Sequence, residues 1–252
     1  MKEIFNFRRF GKYLWTDIKT GYMSYGISLL SLGLAGIAVN IVVLIFNTMI
    51  GDYCAWDSGT RAVLFFLCGF FATVMIPVRR YGIITDRRKG VEFLLCPAST
   101  FEKFVSMILV SVIVIPVFYS VIFLGMDALW GACDKTYDMS VFKYIFGDSW
   151  VALNINEKPI PLFTADDLAN IILTFLLGGM VFRKSKIGKT FLVILGIGVV
   201  LSIVTIKVIG SMDFDINTLS ISDLVLADNI SDTAVLLLLL TGIYFRMRKI
   251  QL

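Results

Sequence analysis

Few residues in this 252-residue chain are of types that do chemistry. It has no histidine, so the commonest metal ligand and the commonest general base are both missing. Cys54, Cys68, Cys96 and Cys133 make no C-x-x-C pair and no zinc spacing. Asp166 and Asp167 are adjacent carboxylates, but no ligand motif accompanies them, and carboxylates suit the first turn of a helix. The chain has no G-x-x-x-x-G-K-[ST] loop and so does not hydrolyse ATP by the P-loop mechanism. The reading is therefore of a protein that is not an enzyme, binds no cofactor or metal and does not bind nucleic acid. The strongest local pattern is instead Ser99-Thr100-Phe101-Glu102, a Ser-x-x-Glu capping box that starts a helix.

That box closes the longest basic interruption in the chain, Arg79 to Phe104. Inside it lies a short apolar segment, Val91-Glu92-Phe93-Leu94-Leu95, preceded by Arg87 and Arg88 and locked between Gly90 and Cys96-Pro97. The chemistry open to such a stretch is recognition. A rigid apolar knob with a charged rim reads as a docking surface for a cytosolic partner that supplies energy. An ordinary basic flank would account for the charges but does not require the knob.

The elements that must position this stretch are membrane spans. The chain is 58% hydrophobic and 17% charged, with a mean hydropathy of +0.84, whereas a soluble domain carries roughly 25% charged residues. The expected fold is all-α: a polytopic membrane protein with six transmembrane helices of roughly 20 residues each and an N-terminal interfacial helix. Residues 1–252 form a single transmembrane domain, with the interfacial helix over 4–20, the coupling loop over 79–103 and an extracytoplasmic loop over 127–161. In the first helix Ile4, Phe7, Phe10, Leu14 and Ile18 share a face, with Phe7, Phe10 and Leu14 as interfacial anchors in the lipid bilayer and Arg8, Arg9, Lys12 and Lys19 covering much of the rest. The spans are expected near 25–46, 61–78, 104–126, 164–182 and 190–206, with a kink at Pro116 in the third. The sixth has an apolar run of only 13 residues, Thr233 to Phe245. That is about 20 Å against a hydrocarbon core of roughly 30 Å, so a broken or half-inserted helix is expected between Ser222 and Asp232. No charged residue falls in the middle of any expected span, which argues against a self-powered, ion-coupled transporter.

With both termini in the cytoplasm, 18 of the 23 Lys and Arg residues fall on that side, in the N-terminal segment, the 79–103 loop, the Arg183–Lys189 turn and the C-terminal tail. Cys54 and Cys133 then lie outside, where an oxidising compartment permits a disulfide; whether they pair stays open.

Two stretches resemble a known family. Phe93-Leu94-Leu95-Cys96-Pro97-Ala98-Ser99-Thr100-Phe101-Glu102-Lys103-Phe104 is similar to the L-x-L-P-A-S-x-x-E-K-F pattern of a bacterial subgroup of membrane (permease) subunits of ATP-binding-cassette (ABC) exporters, in the type-2 export-permease class with six spans per subunit. Phe175-Leu176-Leu177-Gly178-Gly179-Met180-Val181-Phe182-Arg183-Lys184, followed by Lys189-Thr190, is similar to the F-L-L-G-x-x-F-x-K…K-T turn of that subgroup. Cys96 stands where the subgroup carries leucine or another apolar residue. The resemblance implies a multi-pass protein of the bacterial cytoplasmic (inner) membrane that moves a substrate outward. A separate cytosolic ABC ATPase would supply the energy, and a second permease subunit, the same or different, would complete the path. It implies that the 79–103 loop carries the coupling helix, with Val91, Phe93, Leu94 and Leu95 as apolar contacts, Arg87, Arg88 and Glu92 as a polar rim and Pro97 as the boundary. The alternative class is a membrane scaffold, immunity or sensor-regulatory protein on the same fold.

Overall fold

The computed structural model describes residues 5–50, 58–85, 90, 96–133, 140–146, 152–155, 158–161, 165–211 and 221–251. Apart from short turns and one hairpin, the described residues are helical. In order they form α1 (Phe7–Gly33), α2 (Ala35–Ile50), α3 (Ser58–Tyr81), a 3₁₀ turn (Gly82–Thr85), α4 (Thr100–Ile108), a π-helical segment (Leu109–Val114) and α5 (Ile115–Cys133). Then come α6 (Val141–Phe146), strands β1 (Ala152–Ile155) and β2 (Lys158–Pro161), α7 (Ala165–Val181), α8 (Lys186–Ser211) and α9 (Ile221–Gln251). Among the described residues, five helical stretches are long and apolar enough to cross a membrane: Phe7–Phe46, Ser58–Thr85, Thr100–Ala132, Lys186–Val204 and Asn229–Ile250. The chain thus has the make-up of a multi-pass membrane protein. Over the expected fourth span, 164–182, the chain forms α7, whose 17 residues, about 26 Å, are not among these five.

Contacts divide the chain into two compact units, residues 1–76 with 105–164, and residues 77–104 with 165–252. In the first unit α1 and α2 pack on α5. Close approach there depends on missing side chains. A Cβ on Gly33 would run into Ile122, and one on Gly36 would sit 3.1 Å from the Phe123 ring. Beneath them Phe65, Tyr119 and Phe123 stack with centroids 5.2–5.9 Å apart, and the buried Tyr119 hydroxyl donates to the Phe65 carbonyl at 2.8 Å.

The expected boundary between an interfacial helix ending at 20 and a span starting at 25 is not found: α1 runs unbroken from Phe7 to Gly33. No proline or turn signal interrupts residues 20–25, and the glycines at 21 and 26 are tolerated in a helix at modest cost. The turn falls instead at Leu34, between the two glycines that meet α5. Asn6 caps the start, its side chain accepting from the Arg8 N–H at 3.0 Å.

A kink is expected at Pro116; the structure shows a π segment, Leu109–Val114, just before it. Proline has no N–H to give, so the ladder must shift around it, and Ile115 donates to the Val110 carbonyl across the wider π ring. The third span also extends further than expected, to Cys133. Asp127 therefore belongs to a helix rather than to a loop, and the 127–161 segment contributes the last turns of α5, α6 and the antiparallel hairpin, paired from Ala152↔Pro161 to Ile155↔Lys158.

In the second unit α7 is the central helix, packed by α8, α9 and the 3₁₀ turn. Ile172, Leu173, Leu176 and Met180 are buried along it. Gly178 faces Thr190 so closely that any Cβ there would overlap the threonine side chain. Gly178→Val is therefore expected to destabilise the protein by about 1–3 kcal/mol or more through overpacking, read as a lower midpoint of thermal unfolding in detergent. Gly188→Ala, where nothing lies within 4 Å of the added carbon, is expected to leave that midpoint unchanged or slightly raised.

Of the two alternatives expected for the sixth span, a broken or a half-inserted helix, the structure overturns the break. No break divides Ser222 from Asp232; α9 is one helix of 31 residues. The membrane-length part, Asn229–Ile250, has 22 residues, about 33 Å. The 13-residue apolar run left out Asn229–Asp232 at one end and Arg246–Ile250 at the other, which the helix includes. Residues 221–228 continue the same helix beyond that length.

Candidate functional site

The stretch singled out by sequence is mounted on the second unit at both of its ends. Where it leaves α3, Tyr81 is buried and Gly82–Thr85 tightens into a 3₁₀ turn, closed by Thr85 Oγ1 donating to the Gly82 carbonyl at 2.9 Å. The backbone of Gly82 lies against the Gly179 carbonyl, with room for a Cβ only at 3.2 Å. Lys186 Nζ donates to the Gly82 carbonyl at 2.5 Å. One cation at the start of α8 thus ties the stretch to the α7–α8 turn, where Ser185 takes a left-handed φ of 51°. Gly90 comes back against this turn: a Cβ on it would sit 2.7 Å from the Ile84 carbonyl.

The other end is fixed by the capping box. The Ser99 N–H donates to Glu102 Oε2 at 3.0 Å, and the Glu102 N–H donates to Ser99 Oγ at 3.2 Å. These reciprocal bonds satisfy two of the N–H groups that a helix start leaves open, and Glu102 is fully buried while doing so. Cys96–Ala98 forms a bend with the Ala98 N–H on the Cys96 carbonyl at 2.8 Å. Phe101 and Phe104 then meet Tyr244 of α9 edge-on, at 6.5 and 5.5 Å. Pro97 is exposed beside this anchor, and Cys96 is a half-buried free thiol. Arg87, Arg88, Val91, Glu92, Phe93, Leu94 and Leu95 lie outside the described residues.

The second unit also gathers charge at one end. The elements bring Arg79 and Arg80 of α3, Lys103 of α4, Arg183 and Lys184 of the turn, Lys186 and Lys189 of α8, and Arg246, Arg248 and Lys249 of α9 to the end that carries the mounted stretch. Arg246 Nε reaches the Met180 carbonyl at 3.4 Å. At the opposite end Asp166 and Asp167 stand in the first turn of α7, where the helix dipole favours them. There Asn170 Nδ2 donates to the Asp232 carbonyl at 3.3 Å.

Of the expected interfacial anchors, Phe7 is 81% exposed, whereas Phe10 and Leu14 are half-buried on the inward side of α1. Phe5 joins them, its ring 5.2 Å from Phe7 and 5.6 Å from Phe10. The inward face also carries Asp17, which accepts from the Ser106 hydroxyl at 2.9 Å.

Sequence reasoning missed the polar centre of the first unit. Arg61 Nη1 pairs with Asp127 Oδ1 at 3.2 Å, with side chains only 3% and 5% exposed. Asp127 Oδ2 accepts the Val141 N–H at 2.8 Å, which fixes the start of α6. The signal was available. Arg61 is in the first turn of one expected span and Asp127 at the end of the next, so two successive spans carry opposite charges at the same level. Cys68 is buried and free, as packing requires. Cys54 lies outside the described residues, and nothing is described of the Cys133 side chain.

No family model matches the chain, and neither a curated protein nor a solved structure is detectably similar to it.

Proposed function

We propose that this chain is the membrane-spanning, permease-like subunit of an ABC-type exporter, and that the Arg79–Phe104 stretch docks a separate cytosolic ATPase. The observation that supports this reading best is the double mounting of that stretch. One side is held through Gly82 and Lys186 to α7 and α8, and the other through Glu102 and Tyr244 to the start of α4 and to α9. A force applied to the knob would therefore reach three long helices through rigid contacts, which a topology-holding loop has no need of. The ten cations around it suit the cytoplasmic face of a multi-pass protein of the bacterial inner membrane. The N-terminal part of α1, with Phe7 turned outward, suits an interfacial helix. A second permease subunit, the same or different, would complete the path.

The reading requires the mounted stretch to face the cytosol. In intact cells of a variant whose native cysteines are replaced, a cysteine at Thr136 is expected to react with a membrane-impermeant maleimide. One at Lys184 is expected to react only after permeabilisation. Labelling of the Lys184 probe in intact cells would invert the topology and remove the docking surface from its partner.

A further inference from the structure

Asn40 lies on α2, only 5% exposed, in the same notch as the buried ion pair. Its side-chain oxygen has no hydrogen-bond partner among the described residues. Buried polar atoms in native structures are nearly always satisfied, by protein or by ordered water. The notch is lined by Gly36, Ile37, Asn40, Arg61, Phe123 and Asp127, and its volume is about 10 Å³. That is the lower limit of space for one water, which typically makes about three hydrogen bonds. Three polar side chains are present to make them, over the apolar floor of Ile37 and Phe123.

We propose that this notch is a binding site for a single water molecule, which donates to Asn40 Oδ1 and is held on its other side by the Arg61–Asp127 pair. The chemistry of the lining excludes the other small occupants. A cation would sit against the guanidinium, an anion would lie beside the Asp127 carboxylate, and an organic ligand does not fit the volume. The consequence is structural and specific. Asp127 already joins α5 to Arg61 of α3 and to the first N–H of α6. The water adds α2, so four helices of the first unit meet at one hydrated carboxylate, and α6 is tied through it to the long apolar helices. This inference stands whether or not the chain docks an ATPase.

The test is a map of the purified full-length chain in lipid nanodiscs that resolves ordered water elsewhere in the protein. One water peak within hydrogen-bonding distance of Asn40 and of the ion pair is expected. A dry notch, or an Asn40 amide turned onto a protein group, would overturn the site. The second arm is thermal unfolding. Asn40→Leu, which displaces the water and removes its acceptor, is expected to lower the midpoint by about 2–4 °C. The same change is expected to cost little in the Arg61→Met/Asp127→Leu background, where the water has no other anchor. Equal losses in both backgrounds would show that Asn40 acts by packing alone and would overturn the proposal. If the double variant does not fold, the map decides.

Discussion

Asp127→Ala is expected to destabilise the folded chain by about 3–5 kcal/mol, the usual cost of breaking a buried ion pair from one side. Arg61, in the first turn of α3 and almost wholly buried, would be left as a charge with its carboxylate removed. The Val141 N–H would lose its acceptor at the same time, loosening the start of α6. Replacing both partners by apolar residues of similar volume, Arg61→Met with Asp127→Leu, is expected to cost far less or even to stabilise, because no lone charge remains. The comparison of three midpoints in detergent (wild type, Asp127→Ala and the double variant) checks this directly. An Asp127→Ala midpoint equal to that of wild type would mean that the pair is solvated rather than buried.

The second large effect concerns coupling rather than folding. On the proposed docking role, Phe93→Ala with Leu94→Ala is expected to leave the chain inserted and folded but to weaken its association with the proposed ATPase. A large apolar side chain buried in a partner's groove is worth roughly 1.5–3 kcal/mol of transfer free energy, and 1.4 kcal/mol is tenfold in affinity. Loss of one such contact should cost about tenfold or more, and loss of both correspondingly more. Arg87→Ala should do less, since a rim charge acts mainly on the rate of association. Pro97→Ala removes no apolar contact but loosens the boundary between the knob and the capped start of α4. It is expected to reduce stimulated ATP hydrolysis more than co-purification. Unchanged co-purification and hydrolysis in the Phe93/Leu94 double variant would eliminate the stretch as the docking element.

Most of the helices were legible because hydropathy and breaker residues act locally. The capping box at Ser99–Glu102 is present bond for bond, since its spacing alone dictates its geometry. Pro116 announced an irregularity, although not that the ladder would absorb it as a π segment upstream. The failures came from treating each charge by itself. Asp232 and Asn229 looked like the limit of a span, yet a helix does not stop where its lipid-facing part stops, and α9 continues through them. Asp127 looked like the first loop residue, yet a partner 66 positions earlier in the chain makes its burial tolerable. Asp17 is on the apolar face of α1 because Ser106 meets it there. Pairings of this kind depend on which helices become neighbours, and a single sequence records that only indirectly. The same holds for the mount: Gly82, Gly179 and Lys186 are far apart in the chain and carry no local motif linking them.

The most direct test of the docking role is a photo-crosslinking amino acid placed at Phe93 of the full-length chain in its own membrane, with a second placed at Phe191 on the exposed apolar side of α8. Irradiation from position 93 is expected to yield one major adduct with a cytosolic subunit that contains a P-loop and is labelled by azido-ATP, and the adduct is expected to vary with nucleotide state. Position 191 is expected to yield lipid or membrane-protein adducts only. Adducts from position 93 that contain only lipid, or a protein without nucleotide-binding activity, would contradict the docking of an ATPase on this stretch.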